Sequence, residues 1–416
     1  MPSDPRDPAA LRFGIEAEYA LVDAAGRLAD FRTLTWRAAQ RIVDRLGTAT
    51  HPALVRGDAG IKSGRWYVEG DERFDDAGRL VDCVPKGIET RTPPVRHIAA
   101  AVDLAERQTS RLVGAAAVDG YQLTSIGWNP VAPRYDPVPP YNVYEQAMRR
   151  RRAEYVAPDV YMMSYGPDLN LSHPAWSDAD AVDVARRLTA VSPLIVPFSF
   201  SSPFAEGRPA GPLSVRTVAR TGRRPAARVF VGSEAVPTAQ PSPPLIHAAR
   251  SRHERGRVEF KAFDALIDPG LYAPLLALLT GLALWRVGRP RADVPDGVLH
   301  ARAGTRGFAD PAVRAGAAEA LSDAHRALAG TRTRRLLAPL AKVLRTGRTA
   351  SVLLLDTYRR TGAVPYPATC GTQAWGHHGL GRPLMVGMNG ETARWAADEG
   401  ADGGQGDLHR QRSARR

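Results

Sequence analysis

The sequence predicts an α+β fold: a curved, mainly antiparallel sheet with a polar concave face, and helices packed on the other face. Two observations support that reading. Four separated segments alternate between apolar and polar residues with period two, and each puts a carboxylate on its polar side. Helical patterns fall between those segments and fill the last third of the chain without an internal repeat, so one composite domain is expected rather than two. With 416 residues, 44% of them hydrophobic, the chain can bury a substantial core.

The first strand is "FGIEAEYALV", residues 13–22. Phe13, Ile15, Ala17, Tyr19 and Leu21 share one face; Gly14, Glu16, Glu18 and Ala20 share the other. The two carboxylates point the same way, roughly 6.5–7 Å apart, and like charges that close call for a cation between them. A helix is expected over residues 35–46, ending at Gly47. Residues 60–78, "GIKSGRWYVEGDERFDDAG", read as a strand and hairpin that could shape a substrate pocket. Trp66, Tyr67 and Phe74 interleave there with Glu69, Asp71, Glu72 and Arg73. The second patterned strand, "KGIETRT", sets Ile88 against Glu89 and Arg91. Helices follow over 95–115 and 142–154; the second contains the four-arginine run 149–152, read as a solvated face. "PDLNLSH" sets Leu169 and Leu171 against Asp168, Asn170 and Ser172, with His173 read as structural. A helix starts at residue 178, capped by Ser177 or Asp178. The Pro-rich stretch 235–245 is a loop or lid. "GRVEFKAFD" sets Val258, Phe260 and Ala262 against Arg257, Glu259 and Lys261. Helices over 269–287, 310–329 and 331–345, then "GRTASVLLLDTYRRTG", complete the domain.

Solvated sheet faces mix Thr, Lys, Glu and Gln, whereas these polar faces repeat carboxylates beside Arg, Lys or Asn. If the strands are neighbours, Glu16, Glu18, Glu89, Asp168 and Glu259 line one surface, which requires divalent cations. All-oxygen donors suit Mg²⁺ or Mn²⁺, most often serving phosphates. Cys83 and Cys370 are the only cysteines, too few for a Cys cluster or a disulfide framework, and they fit a reducing cytoplasm. The net charge is +13, nearly all from arginine, since the lysines are only Lys62, Lys86, Lys261 and Lys342. That bias resembles a GC-rich genome and is weak ground for nucleic-acid binding, but it suits an anionic small substrate such as a nucleotide. The N-terminus has no apolar signal region. The most apolar run, residues 271–285, is too short to span a bilayer and reads as a core helix.

The same segments resemble, in order, the motifs of glutamate–cysteine ligases, in the carboxylate–amine ligase group with the glutamine-synthetase-like fold. "FGIEAEYALVD" resembles that family's opening Gly-x-Glu-x-Glu strand, "KGIETRTPP" its second strand, and "GPDLNLSHP" its Gly-x-His-x-Asn-x-Ser-x-Pro strand. "LIVPFSFSSPFAEG", "SVRTVARTGRRPA" and "RVEFKAFD" resemble its Ser-Pro-Phe turn, its Arg-rich segment and its late Glu-x-Arg strand. The resemblance spans residues 12–265. It implies Glu16, Glu18, Glu89 and Glu259 as metal ligands, with Asp168 added where the family has His. It implies Asn170, Arg216 and Lys261 as nucleotide-binding residues, with Lys261 standing where the family often has Arg. Arg91, Arg220 and Arg257 are the candidate catalytic arginines. ATP and Mg²⁺ (or Mn²⁺) are the implied cofactors. The implied reaction activates a carboxylate, such as the side chain of glutamate, as an acyl phosphate, then joins it to an amine such as cysteine.

Residues 1–11 and the basic tail 392–416 are expected to be disordered, leaving residues 12–391 as a single catalytic domain. The expected partners are ATP and small amino-acid substrates; a homo-oligomer is left open. Alternatives on the same fold are a protein- or peptide-modifying ligase and a phosphoryl-transfer enzyme. A non-catalytic basic binding protein gives no reason for the grouped carboxylates, which repel phosphate.

Overall fold

The computed structural model describes residues 4–47, 51–54, 62–151, 158–220, 224–240, 242–285, 287–288, 290–369, 384–386 and 392–394. The strands are β1 (Arg12–Val22), β2 (Leu28–Ala29), β3 (Trp66–Phe74), β4 (Leu80–Arg91), β5 (Gln122–Thr124), β6 (Pro167–Ser172), β7 (Phe204–Ala205), β8 (Arg208–Pro209), β9 (Ala227–Val231), β10 (Ile246–Ala248) and β11 (Val258–Phe260). Seven of them form the path β10-β9-β11-β6-β1-β4-β3, and β2 and β5 pair with the C-terminal end of β1. Among the described strands of this sheet, only β9 and β10 run parallel. The sheet is strongly curled. The four strands with the alternating pattern, β1, β4, β6 and β11, are therefore consecutive neighbours across its middle.

Helices α1 (Trp36–Asp44), α2 (Ile98–Ala117), α3 (Val143–Arg151), α4 (Pro158–Met163), α5 (Asp178–Ile195), α6 (Val215–Arg220), α7 (Tyr272–Leu284), α8 (Gly297–Arg306), α9 (Pro311–Ala327), α10 (Ala338–Thr346) and α11 (Ala350–Thr361) surround the sheet. The apolar residues of the patterned strands, among them Ile15, Ile88, Leu169 and Val258, are fully buried. They join Leu112, Leu188 and Leu276 from α2, α5 and α7 in one hydrophobic cluster running from Leu11 to Val343. Each such side chain contributes about 1.5–3 kcal/mol by burial. Ser177 caps α5 in a reciprocal box with Asp180. α7 is apolar on all sides and buried nearly throughout, as a core helix must be. No described helix is long and apolar enough to cross a membrane.

Several expectations need correction. Arg149 is not on a solvated face: it is buried and ion-paired to the buried Asp71, which also accepts from the Tyr135 and Tyr141 hydroxyls, both at 2.7 Å. Arg150 is exposed, and the rest of that run lies outside the described side chains. Helices α4, α6 and α8 were not foreseen. At the N-terminus, Pro8–Ala10 form a 3-10 turn, Leu11 is fully buried, and Trp176 Nε1 donates to the Pro5 carbonyl at 3.2 Å, so order begins before residue 12. Of the tail 392–416, only Thr392–Arg394 are described, paired with Leu384–Val386; the remainder lies outside the described residues.

Candidate active site

Register brings the polar residues of these strands face to face. Glu16 lies opposite Arg91 on β4 and opposite Asp168 on β6. Glu18 lies opposite Glu89, and Asn170 lies opposite both Gly14 and Glu259. One cavity covers this face. Two carboxylate groups form there, Glu16–Glu89–Asp168 and Glu18–Glu69–Glu89, each offering oxygens within 4.8 Å of one another. Glu89 belongs to both. It is buried, and no hydrogen bond or ion pair reaches its carboxylate among the described residues. Burial first, then Glu69, Glu16, Glu18 and Asp168, push its pKa well above the usual carboxylate range. An all-oxygen donor set centred on one unpaired carboxylate fits Mg²⁺ or Mn²⁺.

The other carboxylates have internal counter-charges. Glu16 accepts from Arg257 Nη1 at 3.1 Å and Asn170 Nδ2 at 3.0 Å. Asp168 is ion-paired to Lys261. These are the two positions that depart from the family pattern, and they meet each other. Burial lifts Asp168 to about 7, with Lys261 opposing and Glu259 and Glu16 adding to the rise. Burial works against the Lys261 ammonium, but Asp168 and Glu259 outweigh it and hold its pKa above the usual lysine value. Glu259 pairs with Arg257 at 3.1 Å and Lys261 at 2.7 Å and belongs to neither carboxylate group. Glu18 accepts from Lys86 Nζ and from Gly166 N, both at 2.9 Å. Glu69 pairs with Lys62 at 2.8 Å and accepts from Tyr161. Burial would raise Glu69, but Lys62 and Lys86 outweigh it and hold its pKa below the usual value.

The candidate arginines divide. Arg91 directs Nε and Nη2 to the carbonyls of Gly64, Leu54 and Lys62, holding these three residues together beside the cavity. Arg257 grips Glu16, Glu254 and Glu259 and stacks 4.3 Å from the Phe230 ring. Arg216 is buried, with its terminal nitrogens on the carbonyls of Ala262 and Lys261 at 3.0 and 2.8 Å. A Cβ at Gly166 would overlap Arg216 Nη2 and lie 2.6 Å from the Phe263 carbonyl oxygen, so this crossing requires glycine. The Arg220 side chain, one turn further along α6, makes no hydrogen bond or ion pair among the described residues. Burial, together with Arg216 and Arg224, holds its pKa well below the usual arginine value, an environment that an anion would relieve. Eleven arginines and lysines against seven carboxylates line the described cavity, which is therefore net cationic.

Sequence reasoning missed Lys86 as a site residue, because alternation puts it on the core side with Ile88. The β3–β4 register shifts there: Glu69 pairs with Gly87 and Gly70 with Pro85, which makes Lys86 the extra residue of a β-bulge. A bulge re-aims a side chain, and Lys86 reaches the cavity. Lys62, Tyr67 and Glu69, from the stretch expected to shape the pocket, line the same cavity.

None of the curated proteins matches the sequence. The fold is similar to that of a solved glutamate–cysteine ligase from Francisella tularensis in complex with AMP, with a TM-score of 0.52, 11% identity and 85% of each chain covered. It is also similar to a bifunctional glutathione synthetase from Pasteurella multocida, with a TM-score of 0.52 and 12% identity, over 86% of this chain and 51% of that one. At such identities these likenesses show the fold alone. The model of glutamate–cysteine ligase family 2 matches residues 12–230, more than half of the chain, and the protein belongs to that family.

Proposed function

We propose that the protein is an ATP-dependent carboxylate–amine ligase that holds a divalent cation, Mg²⁺ or Mn²⁺, on Glu16, Glu89 and Asp168. The observation that supports this most is Glu89, a buried carboxylate without a counter-charge between two acidic groups, inside a cavity that is otherwise net cationic. The cation's chemistry there is to neutralise phosphate charge during transfer. Arg220 meets the transferring phosphoryl group. Asn170 presents a buried Oδ1 without a partner, an acceptor for a ligand hydroxyl or ammonium. Arg257, Lys261 and Arg216 position carboxylates and backbone around the nucleotide. Glu18 and Glu69 form the opposite wall.

In the reaction a substrate carboxylate oxygen attacks the γ-phosphorus and ADP departs. The amine nitrogen then attacks the acyl carbon, phosphate leaves, and the nitrogen loses a proton. The donor is proposed to be the side chain of glutamate and the acceptor a small amine such as cysteine. The buried, unpaired thiol of Cys83 fits a reducing, cytoplasmic setting. The test is incubation with ATP, Mg²⁺, glutamate and a panel of amines, with mass-spectrometric detection of amide and ADP. ADP with amide supports the ligase. ADP without amide makes it a phosphoryl-transfer enzyme, and absence of ADP with every free amine and with a peptide acceptor overturns the proposal.

A further inference from the structure

The two carboxylate groups that share Glu89 differ in what happens to their internal cations when the carboxylates are given up to a metal. In the Glu16–Glu89–Asp168 group, Arg257 holds Glu16 and Lys261 holds Asp168. Each of those cations also holds Glu259, which lies outside both groups. Releasing Glu16 and Asp168 therefore leaves Arg257 and Lys261 paired. Both are also accessible from the cavity, with side chains 20% and 21% exposed.

In the Glu18–Glu69–Glu89 group, Lys86 has no such reserve among the described residues. The Lys86 side chain is 1% exposed. An ammonium has three donors, and those of Lys86 meet Glu18 Oε1 at 2.9 Å, the Ser164 carbonyl at 2.8 Å and the Tyr161 carbonyl at 3.2 Å. The Tyr161 and Tyr165 rings close over it at 4.7 and 5.3 Å. Glu18 is its one ion-pair partner among the described residues. Taking Glu18 away would leave a buried ammonium unpaired, the costly outcome for such pairs. Glu69 is held in the same group by Lys62.

Building on the ligase proposal, we infer that Lys86, delivered by the bulge in β4, is a resident monovalent counter-ion that takes the place of a second metal, so that only the Glu16–Glu89–Asp168 group binds a divalent ion. Glu18 then serves Lys86 rather than the metal, and Glu259 is the residue that frees the other group for its ion.

The full chain, without nucleotide, is titrated with Mn²⁺ up to 1 mM and followed by electron paramagnetic resonance. One Mn²⁺ per chain is expected. Glu16→Gln and Asp168→Asn should weaken it at least tenfold. The double variant Glu18→Gln/Lys86→Met, which removes the pair together and avoids a stranded charge, should change it less than threefold. Lys86→Met alone should bind a second Mn²⁺. Two ions in the wild-type chain, or a double variant weakened as much as Glu16→Gln, would overturn the inference. ATP turnover by the wild-type chain separates the two failures: two ions with turnover leave the ligase reading intact, whereas no bound ion removes the metal assignment beneath both.

Discussion

Replacing Glu89 by Gln keeps the shape of the side chain and removes its capacity for charge. If Glu89 were ionised in the metal-free protein, oxygens of Glu16 and Asp168, and of Glu18 and Glu69, would lie within 4.8 Å of its own. At an effective dielectric near 20, each ionised neighbour at that distance costs about 3 kcal/mol, part of it offset by the nearby lysines. The folded protein therefore keeps Glu89 protonated well above the usual range, while the unfolded chain releases that proton. Stability then falls as pH rises, by up to about 1.4 kcal/mol per unit for this group. Glutamine resembles the protonated acid and removes that dependence. In EDTA, Glu89→Gln should match the wild type only at about pH 4, where the unfolded chain also keeps its proton, and exceed it progressively above that, by up to about 1.4 kcal/mol per unit, measured by urea denaturation. The same variant should lose the stabilisation that Mg²⁺ gives the wild type and at least about 100-fold in ADP formation. A variant less stable than the wild type by about 1 kcal/mol in EDTA at pH 8 would refute the reasoning, as would ADP formation within threefold of wild type.

Other outcomes follow from the same geometry. Asp168 has its folded pKa lifted to about 7, so in EDTA its contribution to stability is full below about pH 4 and lost as pH rises towards 7; thermal melts of Asp168→Asn should show a flatter pH profile. Glu18→Gln strands the buried Lys86 ammonium and should cost about 3–5 kcal/mol, most of it recovered in Glu18→Gln/Lys86→Met, as a double-mutant denaturation cycle would show. Gly166→Ala should cost about 1–3 kcal/mol by overpacking against Arg216 and also weaken nucleotide binding, read by calorimetry. Arg149→Ala removes the cation from the buried Asp71 and should cost about 3 kcal/mol in denaturation, the low end for such pairs because Tyr135 and Tyr141 still donate.

The strands at the middle of the sheet were legible because their period-two pattern is strict and their polar positions hold carboxylates. Glu16, Glu89 and Asp168 meet as the pattern implied. What escaped was set by departures from regularity or by partners far along the chain. Lys86 was given no role because strict alternation groups it with Ile88, whereas one extra residue in β4 reverses the face of its side chain. Arg149 looked solvated because Asp71, its partner, lies 78 residues earlier. Helix α6 has only six residues, too few for a periodic signal, and its arginines read as a charged run. Glu259 was read as a ligand from its face and from the family resemblance, and neither reveals that the flanking Arg257 and Lys261 turn back onto it.

β1 supplies alternate residues to two different environments. Ile15, Ala17 and Tyr19 are sealed in the core, and Glu16 and Glu18 line the cavity between them. A slip of one position against β4 or β6 would expel the apolar set and bury the acids. Assembly of the carboxylate cluster and completion of the central strand are thus a single event, and under the proposed function retention of one Mn²⁺ would report native strand alignment.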